Sequence, residues 1–462
     1  MKLKYRLFAT LLACMYLFSS ISVYAATENT TASETSTTTE ETQTPDQTST
    51  ETVFSATQTQ ADYGTIIEST EPSGIETVAE GAILIDADTG AVLYSRNASE
   101  KYYPASITKI MTTLVALENG NLSDQMTFTA DTLYAIEQGS SRVGVEPGET
   151  CTLEDALYCV MLASGNDTAA GVAEHIGGSV QNFVDMMNNK AAELGCTNTH
   201  FENPHGLHGE NHYTCAEDMA KIARAAMQNP DFVRIAGSVS YTMPATNKSE
   251  AREIWQHHKM LLPGSQYAYE DATWGKTGFT SMALNTLVTA AERDGVKLIA
   301  VILRCQGAAN TYYDTTKLFN YGFETYSKLN PLESFSLKTA AASSGVSEKE
   351  LKNLEKLNVL FNSDYSVLAP KSVSVSDIAV SVTTETAAEG IWGSIIFKYN
   401  DNEIGRANVY YNTEGELESI MEGEDSIKTT AISKLPFVLV TVIVVLLLFI
   451  VFRLISLLTR RR

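Results

Sequence analysis

Cysteine is scarce in this chain and poorly spaced. Cys14 lies in the first apolar run; Cys151, Cys159, Cys196, Cys215 and Cys305 remain, an odd number without a CxxC pair. That speaks against a disulfide framework or a zinc ribbon and favours buried structural thiols, with one disulfide as the alternative and its pairing unreadable from spacing. Positive charge is also short: 33 Lys and Arg stand against 55 Asp and Glu, a net charge of −22. With no basic face to displace counterions, no nucleic-acid partner is expected. Histidine is infrequent too, and three of the seven fall in HGLHGENH at 205–212. Its glycines and its place between helical stretches suit a loop better than a closed zinc ligand set, so no metal and no cofactor is expected.

What the chain does have begins at its ends. Lys2, Lys4 and Arg6 precede an apolar run from Leu7 to Tyr24, and Val23 and Ala25 form a small-residue cleavage pattern. Together they predict a secretory leader over 1–25. LLAC at 11–14 is a poor lipoprotein site, because the apolar run continues past Cys14. At the other end, Leu435–Phe452 is apolar except for Thr441 and is followed by Arg453 and Arg460, Arg461 and Arg462. Such a stretch is long enough to cross a bilayer, and the arginines predict a cytoplasmic tail with everything before the helix outside. A buried core helix is the alternative, but it would not carry four arginines on one flank.

Between the ends, composition changes twice. Residues 26–62 are rich in Thr, Ser, Glu and Gln and hold no Lys or Arg, a composition that cannot bury a core. From about residue 77, AILIDADTGAVLYS reads as two strands around Asp88-Thr89-Gly90. Helical periodicity runs from Ser106 to Glu118 and again at 153–163, 167–176, 179–194 and 216–228; strands return in MALNTLVTAAERDG and VKLIAVILRC. Strands, a helical block and strands again predict an α/β domain with an antiparallel sheet and helices packed on it. Past a boundary near 330, SVSVSDIAVSV and GSIIFKYNDNEIGRANVYY alternate apolar and polar, the second with Asn400-Asp401-Asn402 as its turn, which predicts a small β domain.

Three short motifs carry chemistry. In PASITK, Ser106 and Lys109 are spaced to share one helical face. Ser106 has a plain reading as a helix N-cap and a sharper one as a nucleophile with Lys109 as its base. In MLASGNDTAA, Ser164-Gly165-Asn166 breaks two helical runs; it is either a helix connection capped by Asn166 or Asp167, or a turn presenting a hydroxyl and an amide. In TWGKTGFTS, Lys276-Thr277-Gly278 opens a strand; it is either a surface turn or a carboxylate-binding edge that a ligand can approach closely.

Each motif alone is cheap; the three in this order, with first positions 58 and 112 residues apart, are not. S-x-x-K, S-x-N, K-T-G is a close variant of the set found in penicillin-binding proteins and class A β-lactamases. The chain resembles that superfamily, and is more closely similar to the low-molecular-mass, serine-type D-alanyl-D-alanine carboxypeptidases. PASITKIMT, SSRVGVEPGE, MLASGNDTA, NPHGLHGENHYT and KTGFTS carry the likeness, over roughly 75–325.

The resemblance implies a fold, an organisation and a set of roles. The fold is an α/β (α+β) penicillin-binding, β-lactamase-like transpeptidase domain with an antiparallel sheet and a helical subdomain. A small all-β C-terminal domain and a C-terminal transmembrane helix follow it. In numbers this is a leader 1–25, a disordered segment 26–74, a catalytic domain 75–330, a β-rich domain 331–415, a linker 416–434, an anchor 435–458 and a basic tail 459–462. The enzyme is expected at the cell membrane with its catalytic domain outside. Peptidoglycan stem peptides are the implied substrates and β-lactams the implied inhibitors.

Ser106 is the implied nucleophile, Lys109 its base and Ser164 a proton relay to the leaving amine. Asn166 would hold the substrate amide, and Lys276, Thr277 and Gly278 the terminal carboxylate. The N–H groups of Ser106 and Phe279 are the expected oxyanion hole. Two departures stand out. Some members carry His or Tyr where this chain has Phe279. Some also place an Arg beyond the strand after KTG, for which Arg304 is the nearest candidate.

Two rivals share these residues. A β-lactamase would need a general base for deacylation, a Glu in class A enzymes, and Glu202 and Glu210 are poorly placed for it. A wall-binding protein with relic motifs would not be expected to keep all three intact.

Overall fold

The computed structural model describes residues 74–411 apart from 334, 355–358 and 385–390. The leader, nearly all of the segment 26–74, the linker, the anchor and the tail lie outside the described residues. Among those described, no helix is long and apolar enough to cross a membrane.

Gly81–Asp86 (β1) and Val92–Arg96 (β2) form the hairpin expected around Asp88-Thr89-Gly90, with Ala82 opposite Arg96 and Leu84 opposite Tyr94. Two small antiparallel pairs follow, Gln125–Thr127 (β3) with Thr150–Thr152 (β4), and Ser240–Met243 (β5) with Arg252–Trp255 (β6). The chain then returns through Ala272–Thr280 (β7), Leu284–Arg293 (β8) and Val296–Cys305 (β9). The main sheet is antiparallel throughout in the order β2-β1-β9-β8-β7, so its first and last segments are neighbours, with Leu84 opposite Ala300. Asp294 and Gly295 turn β8 into β9 at φ +50° and +76°. A two-residue hairpin needs that left-handed pair to match strand twist.

The sheet is buried on both faces because its apolar residues fill both sides of the pleat. Leu298, Ala300 and Ile302 of β9 pack on Leu318, Phe319 and Phe323 of the helix Ala308–Thr325. The alternate residues Ile299, Val301 and Leu303 join Ile107, Ile110, Met219 and Ile222 on the opposite side, where the helical block lies. That block contains the helices Lys109–Asn119, Leu153–Met161, Asn166–Gly177, Val180–Glu193 and Ala216–Met227, each within a few residues of expectation. The helices Ala130–Ala135, Pro230–Gly237 and Ala308–Thr325 were not anticipated. The last has a readable apolar stripe in Tyr312, Thr315, Phe319, Gly322 and Phe323.

Beyond Tyr326–Leu329 (β10) the chain forms Val359–Leu360 (β11), Val367–Pro370 (β12), Ala379–Thr383 (β13), Ile391–Tyr399 (β14) and Asn402–Tyr411 (β15). A four-stranded sheet runs β11-β15-β14-β13, while β10 pairs with β12. The turn is Asn400-Asp401, both left-handed, and Asn402 already belongs to the strand. The expectation of an all-β C-terminal domain needs correction, since it also carries the helices Leu337–Ser343 and Glu348–Leu354. Leu337 and Ala341, one helical turn apart, bury into the same core as Val382, Trp392 and Phe397.

Candidate active site

Three elements converge on one cleft. The first is a 3₁₀ turn, Ala105–Thr108, leading directly into the helix Lys109–Asn119. Ser106 lies within that turn, and no side chain caps it, so the N-cap reading of Ser106 fails. Ala105 is left-handed at φ +52°, strain tolerated only where the surroundings over-determine it. Gly206 packs so tightly there that a Cβ on it would fall 1.9 Å from the Ala105 carbonyl oxygen.

Lys109 is fully buried. Its Nζ lies 3.1 Å from Ser106 Oγ, 2.6 Å from Asn166 Oδ1 and 2.6 Å from the His205 carbonyl oxygen. Burial first, and the neighbouring Lys276 second, push its pKa well below the ordinary lysine value, with Asp167 opposing.

The second element is the break between the helices Leu153–Met161 and Asn166–Gly177. Ser164 is left-handed at φ +58°, and Asn166 is the first helical residue rather than a cap. Asp167 pins the facing loop, its carboxylate accepting from the N–H groups of Val143 and Gly144 at 3.1 and 2.8 Å. The Ser141 carbonyl in turn accepts from Asn166 N–H at 2.9 Å.

The third element is β7. Lys276 is 1% exposed and donates from Nζ to Ser164 Oγ and to the Thr277 carbonyl, both at 3.0 Å. Burial pushes its pKa down to about 7. Gly278 is obligatory, because a Cβ there would lie 2.3 Å from Thr286 Oγ1 and 2.8 Å from the Ser106 nitrogen. The strand edge and the Ser106 turn are therefore in direct apposition, which Thr286 Oγ1 reinforces by donating to the Pro104 carbonyl at 2.8 Å. Thr277 is half-buried, and Phe279 stands at the rim 64% exposed.

Ser106, Ser164, Thr277, Gly278 and Phe279 all line the cleft, whose volume is about 260 Å³. Lys109 and Lys276 contact it through the lining residues Ser106 and Ser164, and Asn166 contacts Lys109. Arg304 does not line it: its guanidinium pairs with Glu80 at 2.9 Å and donates to the Met282 carbonyl at 3.0 Å.

The segment 203–212 does more than connect helices. Besides the His205 carbonyl on Lys109, the Pro204 carbonyl accepts from Thr112 Oγ1 at 2.5 Å. His212 Nδ1 accepts from Glu202 N–H at 3.0 Å, so Nε2 carries the proton toward Thr108 Oγ1 at 2.8 Å. These backbone acceptors have no residue signature; only the presence of NPHGLHGENHYT among the likenesses pointed to the segment. The five cysteines are buried free thiols.

A buried lysine beside a serine, a second buried lysine on a sheet edge and an antiparallel sheet flanked by helices define a penicillin-binding, transpeptidase-like serine acyltransferase. The match to the family model then names the family. Residues 67–307 match Peptidase_S11, D-alanyl-D-alanine carboxypeptidase, and the chain belongs to that family.

Among similar proteins, the D-alanyl-D-alanine carboxypeptidase DacF of Bacillus subtilis is 33% identical over 307 residues, 65% of this chain and 75% of that one. DacB2 of Mycobacterium tuberculosis is 35% identical over 56% of this chain and 88% of its own. The solved Streptomyces K15 DD-transpeptidase, as its S216A mutant, superposes with a TM-score of 0.51 at 31% identity, covering 54% of this chain and 99% of that one. Penicillin binding protein 6B from Escherichia coli shares the fold, with a TM-score of 0.57 at 23% identity over 74% of this chain and 98% of its own.

Proposed function

We propose that the chain removes the terminal D-Ala from peptidoglycan stem pentapeptides through an acyl-enzyme on Ser106. The observation that carries this reading is the contact set of Lys109, a buried amine beside a serine with two acceptors for its own hydrogens. Neutral Lys109 takes the Ser106 proton as Oγ attacks the penultimate D-Ala carbonyl. The N–H groups of Ser106 and Phe279 hold the oxyanion, each worth roughly 3 kcal/mol. Ser164, hydrogen-bonded to Lys276, relays to the leaving nitrogen the proton that Lys109 took from Ser106, so the C–N bond breaks, D-Ala departs as its amine and Lys109 is neutral again. Asn166 holds the substrate amide, and Lys276 and Thr277, beside Gly278, grip the terminal carboxylate. Water then hydrolyses the ester.

A β-lactam would acylate the same oxygen. Among the described residues no carboxylate lines the cleft, and Glu202 accepts from the Asn211 N–H at 3.1 Å, so the Glu that deacylates a class A β-lactamase has no counterpart there. That favours a carboxypeptidase over a β-lactamase. The sequence features at 1–25 and 435–458 support an enzyme exported and anchored by its C-terminal helix with the site outside the cell.

Mass spectrometry of the full-length protein after penicillin treatment tests the reading. The expected result is a stable adduct on Ser106 that Ser106→Ala abolishes, together with D-Ala release from a D-Ala-D-Ala peptide by the wild type. No release, or rapid turnover of the drug, would overturn it.

A further inference from the structure

The cleft is rich in hydroxyls and poor in fixed cations. Of the residues that line it, His257 alone has a nitrogen able to carry positive charge. Lys276, beneath it, already spends two of its donors on Ser164 and Thr277, and Arg304 is turned away to Glu80.

His257 is also held in place. Gln256, buried, donates from Nε2 to the Ala236 carbonyl at 3.0 Å and to the Ser238 carbonyl at 3.3 Å. His258, fully buried, shares a hydrogen bond between Nε2 and Thr289 Oγ1 at 2.8 Å. Gly275 leaves room for that ring, since a Cβ there would lie 2.5 Å from His258 Nε2. Between these two anchors the His257 N–H donates to the Leu162 carbonyl at 3.2 Å, two residues before Ser164. In an extended stretch the middle side chain points opposite to its neighbours, here into the cleft. Its imidazole has no protein hydrogen-bond partner among the described residues.

We propose that His257 contacts the substrate's terminal carboxylate and determines the preference for a free C-terminal D-Ala. The inference rests on the carboxypeptidase reading above and extends it to a residue outside the three motifs. An exposed ring with unspent hydrogen-bonding capacity, on a backbone tied to Leu162, lines the cleft with Ser164 and Thr277, where that reading puts the leaving D-Ala. Burial and the nearby Lys276 push its pKa below the ordinary histidine value, which favours the neutral N–H form in the free enzyme, and a bound anion would draw a proton onto it.

The test compares full-length wild type, His257→Ala and His257→Arg on an acylated Lys-D-Ala-D-Ala peptide. The same peptide as its C-terminal carboxamide is scored as an inhibitor of that hydrolysis. Loss of a hydrogen bond to a charged group predicts a KM about tenfold or more higher in His257→Ala for the free acid, with kcat within about twofold and carboxamide binding unchanged. His257→Arg should return KM to the wild-type range or below it. Equal effects of His257→Ala on acid and carboxamide, or no effect on either, would overturn the assignment while wild-type D-Ala release leaves the carboxypeptidase reading standing. No release by wild type would overturn both.

Discussion

Lys109 Nζ stands 3.1 Å from Ser106 Oγ, and its two closer neighbours, Asn166 Oδ1 and the His205 carbonyl at 2.6 Å, are both acceptors. A neutral amine has two hydrogens and one lone pair. With both hydrogens spent on those acceptors, the lone pair faces the serine hydroxyl, the arrangement a base needs before it takes a proton. Desolvation favours that neutral state, since the charged form would lose its hydration for a site that already holds Lys276.

The rate of acylation should therefore be bell-shaped in pH. The proposed mechanism requires Lys109 neutral, which gives a limb rising with pH through a value well below that of a free lysine. It also requires Lys276 charged, which gives a limb falling through about 7. Stopped-flow acylation by a fluorescent penicillin, reported as the second-order constant, reads both for the free enzyme. Lys276→Arg, which stays charged, should lower the rate but remove the falling limb. A profile still rising past pH 9–10 would mean that Lys109 titrates as an ordinary lysine, near 10.4.

Gly278→Ala should cost about 100-fold or more in acylation, the order of one lost oxyanion donor. The added methyl would meet Thr286 Oγ1 at 2.3 Å and the Ser106 nitrogen at 2.8 Å, both on elements that cannot retreat independently. Penicillin labelling rates, with circular dichroism to confirm folding, check this; a loss below about threefold would show that strand and turn have freedom the packing does not suggest.

Arg304→Met should leave KM for the peptide within about twofold, because the side chain is engaged by an exposed partner outside the cleft and surface pairs are worth little. Steady-state kinetics on the free-acid peptide decide it. A large rise in KM would return Arg304 to the carboxylate site.

Thermal stability should fall as the pH drops from neutral to about 4.5. His212 and His258 are pushed down to about 3 by burial, and His205 is likewise lowered well below its ordinary value. The folded state refuses protons that the unfolded chain accepts near 6.5, so stability present above that value is lost as pH falls toward 3. Asp86, raised to about 6 by burial and by Asp88, runs the other way, gaining stability as it protonates. His257 is lowered as well, so four histidines against one carboxyl give a net loss. Melting temperatures across the range, with His258→Asn reducing the slope, test the balance.

The sequence by itself picked out residues that the fold brings to one cleft, and most of the framework beneath them. Ser106 and Lys109 are readable because helical spacing is local, and the first hairpin is readable because Asp88-Thr89-Gly90 marks its turn between two strand-like runs. The same locality explains the misses. Leu337 and Ala341 make a stripe too short to stand out from the alternating strands around them, so the C-terminal domain looked all-β. Arg304 was chosen for its distance along the chain, and the fold turns it to Glu80. The His205 carbonyl could belong to any residue type, and the alternation at 256–258 does not say which side chain faces a cleft. Tertiary structure decided these because they depend on what is brought opposite: Gly278 against the Ser106 nitrogen, Gly206 against Ala105, Lys276 beneath Ser164. Lys109 shows the division most sharply. Its spacing from Ser106 is local, but only packing from three distant segments removes the water that would keep it charged.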